Sequence, residues 1–196
     1  MIKKLSLIFG SKTKAEEIIY LLSGLKKVVR QGYYEPELPK IEKFCKEKDF
    51  YLIKSKFKVL LADETNYSNK GIKIKEDDKR AGMYFVYISK EEKEALLASY
   101  YELIDNYKEL GSVLGYPRCC VDFFVRNFNE NNINLQQIPS NLYTNITKRE
   151  NDCVLISHFP CSSGCEESIK IGVKNLQAIT EIDQTRAEEL SRELKC

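Results

Sequence analysis

His158 is the only histidine in the chain, and it opens the segment His158-Phe159-Pro160-Cys161-Ser162-Ser163-Gly164-Cys165. A second segment, Gly115-Tyr116-Pro117-Arg118-Cys119-Cys120, carries a vicinal cysteine pair just after a proline suited to the first turn of a helix. Between them these segments hold five of the side chains that proteins use most for transition metals and for nucleophilic sulfur. For one site to use them all, the fold must bring the start of one helix against a strand end, a turn and the start of another helix. That requirement constrains the topology more than any single hydrophobic run does.

Seven cysteines are present, an odd number, and no secretion signal accompanies them, so a disulfide framework is not expected. Clustered cysteines in a reducing cytoplasm point to a metal or to thiol chemistry. The candidate metal ligands are Cys119, Cys120, His158, Cys161 and Cys165: three cysteines with the histidine, or four and one. Tetrahedral zinc takes four such ligands, with Zn–S near ~2.3 Å and Zn–N near ~2.0–2.1 Å. Iron–sulfur clusters use thiolates as well, with histidine sometimes replacing one. Neighbouring side chains on a helix diverge by about 100°, so one of Cys119 and Cys120 is expected to face a single ion squarely. Both helix starts also favour thiolates, because free amides and the helix dipole stabilise negative charge there. The alternative is a thiol enzyme, with one cysteine as nucleophile and His158 as base. Cys45 and Cys153 fit ordinary packing, and Cys196 is terminal.

The remainder of the chain predicts an α+β protein. The apolar start, Met1 to Gly10, is too short for a membrane span and lacks a small-residue cleavage site; it reads as a first strand. Helical spacing predicts a helix over 12–31, ending at Gly32, and a second short helix after Pro36 and Pro39 with Leu38, Ile41, Phe44 and Cys45 on one face. From Tyr51 the period is two, with Lys54, Lys56 and Lys58 on the outer face. A polar loop runs through Asn69, and short strands at Ile72–Ile74 and Met83–Ile88 complete an antiparallel meander. Ser89 to Glu92 has the form of a capping box. The helix after it is expected to run to Leu110, with Leu96, Leu97, Tyr100, Ile104 and Tyr107 inward and Gly111 as its cap. Further expectations are a helix after Pro117, a long Asn-rich loop over 129–151, a short strand over 153–157, a helix over 165–179 with Ile169, Val173 and Leu176 inward, and a last helix capped by Asp183.

Nothing reads as a linker. One domain over 1–196 is expected, with an α/β meander part over 1–88 and a mainly helical part over 89–196 that carries the Cys/His site. The net charge is +2, but residues 1–61 hold 14 Lys/Arg against 7 Asp/Glu. An anionic partner such as RNA could meet that half, with the metal knuckle as a structural staple. A lysine-rich solvated surface is the simpler explanation, since no stacking-aromatic motif accompanies the lysines.

The pair of motifs Gly-Tyr-Pro-x-Cys-Cys-Val-x-Phe-Phe at 115–124 and His-x-Pro-Cys-x3-Cys-x2-Ser at 158–168 resembles a mainly archaeal family, domain of unknown function 483. The resemblance implies that Cys119, Cys120, His158, Cys161, Cys165 and Ser168 are the family's signature positions, and that the source is archaeal. It names no substrate or reaction.

Overall fold

The computed structural model describes residues 1–61, 71–129 and 131–196; the polar loop expected through Asn69 lies outside them. In chain order the elements are helices α1 (Ile2–Phe9) and α2 (Lys12–Leu22), strand β1 (Val28–Tyr33), helix α3 (Leu38–Glu47), and strands β2 (Tyr51–Leu61), β3 (Gly71–Lys75) and β4 (Met83–Ser89). Helices α4 (Glu92–Leu103), α5 (Tyr107–Val113), α6 (Arg118–Asn127), α7 (Glu166–Ile182) and α8 (Gln184–Glu193) follow. This is the predicted α+β class. Among the described residues, no helix is long and apolar enough to cross a membrane. The chain groups into two compact units, one formed by Met1–Lys26, Tyr116–Phe128 and Asn134–Cys196, the other by Lys27–Gly115 and Asn129–Ile133.

The first unit is helical. Its start is a helix and not the expected strand, because Ile2, Leu5 and Phe9 lie on one helical stripe and are buried, while Leu7 is exposed. Gly10, in the left-handed conformation at φ 86°, ends α1. The Ser11 hydroxyl then caps α2 by accepting from the Lys14 amide at 3.1 Å. The helix predicted to reach residue 31 stops at Leu22. Gly24 turns left-handed at φ 73°, and the two valines after it enter a strand. Buried charge ties α2 to the rest of the unit. Arg186 Nε meets Glu16 Oε1 at 2.6 Å, and Nη1 meets Glu189 Oε2 at 3.0 Å. Asp152 accepts from the amides of Lys12 and Thr13 at the start of α2.

No strand forms at 153–157. Cys153, Val154, Leu155 and Ile156 are all buried, with no alternation. The Leu155 carbonyl is satisfied by the Asn175 side chain at 2.7 Å, in place of a neighbouring strand. Val154, Ile156 and Phe159 pack with Leu135 and Ile146 beneath Phe123, Phe124 and Phe128. The loop before this run is also tied by side chains. Asn141 Nδ2 and Thr144 Oγ1 both donate to the Ser163 carbonyl, at 2.7 and 2.6 Å, and Asn145 Nδ2 donates to Leu194 O at 3.1 Å. On α7 the buried stripe is Ser168, Gly172, Asn175 and Ala178–Ile179, so the expected inward Val173 is largely exposed. Gly172 is required there, since a β-carbon would meet Tyr143 Cβ and O at 2.8 Å. The last helix is as expected: Asp183 accepts from the Arg186 amide at 3.2 Å, and Ala187, Leu190 and Leu194 are buried.

The second unit is a four-stranded antiparallel sheet in the order β1-β4-β2-β3. It departs from a simple meander. β3 pairs with β2 at the edge, and β4 returns between β2 and β1. A bulge interrupts the β2–β4 register between Lys54 and Lys58. There the Ser55 hydroxyl donates to Phe57 O and accepts from the Phe85 amide, filling the gap in the ladder. The bulge also turns Lys58 inward, where its ammonium donates to the carbonyls of Asp78 and Arg80. Lys54 pairs with Glu76 at 2.9 Å and lies over the Tyr84 ring. Thus only part of the expected lysine-lined face is open to solvent. On α3 the expected face, Leu38, Ile41, Phe44 and Cys45, is buried.

The inward stripe of α4 is Ala95, Ala98 and Glu102, whereas Leu96, Tyr100 and Ile104 are exposed. Buried Glu102 decides the rotation, because its Oε2 accepts from Arg30 Nε at 2.6 Å and from the Tyr87 hydroxyl at 2.7 Å. The Ser89 hydroxyl accepts from the amide two residues on, at Glu91, so the helix starts without the reciprocal box. The helix expected to reach Leu110 breaks at Asp105, where φ is 57°, and Asn106 caps α5.

Candidate metal centre

Pro117 is the N-cap of α6, which puts Cys119 and Cys120 in its first turn. Cys165 is the N-cap of the 17-residue α7. The loop 158–164 leads into that helix and carries Cys161. All four thiols belong to the helical unit. The Sγ atoms of Cys119, Cys120, Cys161 and Cys165 lie within 4.8 Å of one another. Three separations are 3.9 Å for Cys119–Cys120, 3.7 Å for Cys119–Cys165 and 3.6 Å for Cys120–Cys165. Four thiolates bound to one ion at ~2.3 Å in a tetrahedron stand ~3.8 Å apart. These cysteines can therefore hold a metal ion.

Both members of the vicinal pair reach the cluster, although helix geometry suggested that one would turn away. Cys119 is exposed and Cys120 is buried, so the pair meets the group from its solvent side and its buried side. The Cys161 amide donates to Cys120 Sγ at 3.3 Å, a bond that stabilises a thiolate.

His158 stands outside the four-sulfur group. Its Nε2 is 2.8 Å from Ser168 Oγ, and Ser168 Oγ is 3.2 Å from Cys120 Sγ. The imidazole is thus one hydroxyl removed from the cluster. Tyr116 lies against it at 5.1 Å between ring centroids. Lys26, placed over the Tyr116 ring, donates to Ser157 Oγ at 2.6 Å and pairs with Glu17 at 2.5 Å. Hydrophobic periodicity gives no sign of Lys26 or Tyr116 at this place. Ser168 is fully buried on α7. Its motif position was the one hint that it belongs with the cysteines.

Electrostatics divides the group. Burial pushes the Cys120 thiol well above its ordinary value, against the pull of the Ser168 hydroxyl and the Cys161 amide. Burial and the neighbouring thiols of Cys165 and Cys119 raise Cys161 to about 11. For Cys165 burial also opposes ionisation, but hydrogen bonds from Ser168, Cys120 and Cys161 outweigh it and bring the thiol down to about 7. His158 is lowered to about 3 by burial and by the charges of Lys26 and Arg149, so its imidazole is neutral at physiological pH.

No curated protein and no solved structure matches the chain. A family model does. It spans residues 92–195, which include every cysteine of the cluster together with His158 and Ser168, and the chain belongs to that family, described as protein of unknown function (DUF483).

Proposed function

We propose that the protein is a zinc protein in which one ion is held by the thiolates of Cys119, Cys120, Cys161 and Cys165. The mutual approach of four sulfurs to within 4.8 Å carries this proposal. A cluster of two or four irons distributes its cysteines over separate irons, which spreads some of the sulfurs further apart than the ligands of a single ion. Four thiolates also complete a tetrahedron, the composition of structural zinc sites, and leave no position for a bound water. The ion would join the start of α6, the loop 158–164 and the start of α7. Seven cysteines without a disulfide among the described residues suit a reducing compartment such as the cytoplasm.

Elemental analysis of anaerobically purified protein tests the proposal. Colourless protein with one zinc ion per chain is the expected result, and cobalt substitution should give the intense thiolate-to-metal absorption of a four-sulfur site. Brown protein absorbing near ~400 nm would replace zinc with an iron–sulfur centre. Metal-free protein with one fast-alkylating thiol would replace the metal with thiol chemistry.

A further inference from the structure

Ser168 has one hydroxyl proton and three neighbours that compete for it, His158 and the thiols of Cys120 and Cys165. His158 Nε2 is at 2.8 Å and Cys120 Sγ at 3.2 Å, and the serine is fully buried. A metal-bound Cys120 is a thiolate and can only accept. Cys165, the other sulfur bonded to Ser168, is a thiolate as well, so the hydroxyl donates to the sulfur side, with Cys120 Sγ at 3.2 Å, which leaves its oxygen to accept from His158. Only a proton on Nε2 can supply that bond, and a neutral imidazole has one N–H in total. Nδ1 is therefore bare.

We infer that His158 and Ser168 are positioning residues of the metal centre: His158, as the Nε2–H tautomer, directs the Ser168 hydroxyl at the sulfurs of Cys120 and Cys165. This rests on the zinc site proposed above. The surroundings hold the imidazole for that task. Tyr116 lies against one face of the ring. Lys26 anchors the preceding residue through Ser157 Oγ. Four sulfurs already fill a tetrahedron, so no coordination position is left for the histidine. A hydroxyl donated to a thiolate disperses its charge and fixes its orientation, as outer groups do around other metal ligands.

The single histidine makes the test direct. A long-range proton–nitrogen NMR spectrum of uniformly nitrogen-15-labelled, zinc-loaded protein contains one imidazole. Nε2 should appear protonated and Nδ1 as a bare acceptor. Zinc affinity is then measured by competition with a chelator. Ser168→Ala and His158→Ala should each weaken it by about 10–100-fold at unchanged stoichiometry. His158→Gln, whose amide N–H reaches the place of Nε2, should recover most of the loss; His158→Asn, whose shorter side chain places its amide near Nδ1, should not. Zinc-loaded protein with the proton on Nδ1, or Ser168→Ala with unchanged affinity, would overturn the inference and leave the zinc site standing. Protein that takes up no metal would overturn both. The spectrum needs no variant, so a misfolded substitution does not remove the test.

Discussion

Gly172→Ala is a substitution for which helix propensity and packing predict opposite signs. Gly172 lies within α7, where replacing glycine by alanine ordinarily stabilises by about 1 kcal/mol. Here the new methyl would sit 2.8 Å from both Tyr143 Cβ and Tyr143 O, and 3.2 Å from Tyr143 Cα. Ordinary carbon–carbon contact lies at about 3.5–4.0 Å, so relief requires a separation of roughly 0.7 Å or more between α7 and the loop. All three atoms are backbone or Cβ and cannot swing aside. The segment is also pinned, because the Tyr143 amide donates to Asn141 Oδ1, and both Asn141 and Thr144 hold the Ser163 carbonyl. Overpacking of this kind costs about 1–3 kcal/mol. Set against the propensity gain, the net expectation is a loss of up to about 2 kcal/mol, or up to about 4–8 °C in melting temperature for a chain of 196 residues. Thermal unfolding followed by circular dichroism measures it, with the exposed Val173→Ala as a control that changes propensity without a clash. A Gly172→Ala protein melting at or above the wild type would show that α7 and the Tyr143 loop do not pack as described.

Three further predictions concern other parts of the molecule. Burial raises Glu16 from its ordinary 4.5 to about 8, against the pull of Arg186. A folded-state pKa above the unfolded one means that its stabilising contribution is complete below about pH 4.5 and is lost as pH rises through 8; urea titrations from pH 5 to 8 should show wild-type stability falling relative to Glu16→Gln, and parallel profiles would count against it. Asn175→Ala leaves the buried Leu155 carbonyl without its donor and should cost about 1–3 kcal/mol by chemical denaturation, whereas a change below a few tenths would mean that the loop finds another donor. In the sheet unit, Arg30→Met should strand the buried Glu102 carboxylate and lower stability by about 3–5 kcal/mol; a neutral result would show that Tyr87 alone is a sufficient partner.

Elements with one clear apolar stripe were readable from the residues alone. On α8, Ala187, Leu190 and Leu194 follow the helical period, and Asp183 has a side chain suited to the cap, so nothing competes with that assignment. Misreadings arose where a polar or small residue occupies the interior. Apolar spacing pointed α7 inward at Ile169, Val173 and Leu176. The buried stripe instead runs through Ser168, Gly172 and Asn175, because this helix packs on loops whose carbonyls and thiols need hydrogen-bond donors and whose backbone comes too close for larger side chains. On α4, likewise, the ion pair with Arg30 draws Glu102 inward at the expense of Leu96 and Tyr100. The boundary between α2 and β1 was hidden because Val28 and Val29 continue the helical spacing by coincidence, and one left-handed glycine ends the helix earlier. At the candidate metal centre the four cysteines were identifiable by type and position. The distance between His158 and the sulfurs was not, since it depends on Ser168 projecting from a helix face that apolar periodicity assigns to solvent.

The stretch over 140–164 is held largely by single side-chain ties, two of which converge on the Ser163 carbonyl. Such ties can release one at a time, unlike the rungs of a ladder. The amides of residues 140–164 should therefore exchange with deuterated solvent through local opening, well before the helices on either side unzip. An ion gripping Cys161 would close that route from within. The earliest-opening stretch of the helical unit would then be the one whose lifetime reports whether the sulfurs are occupied.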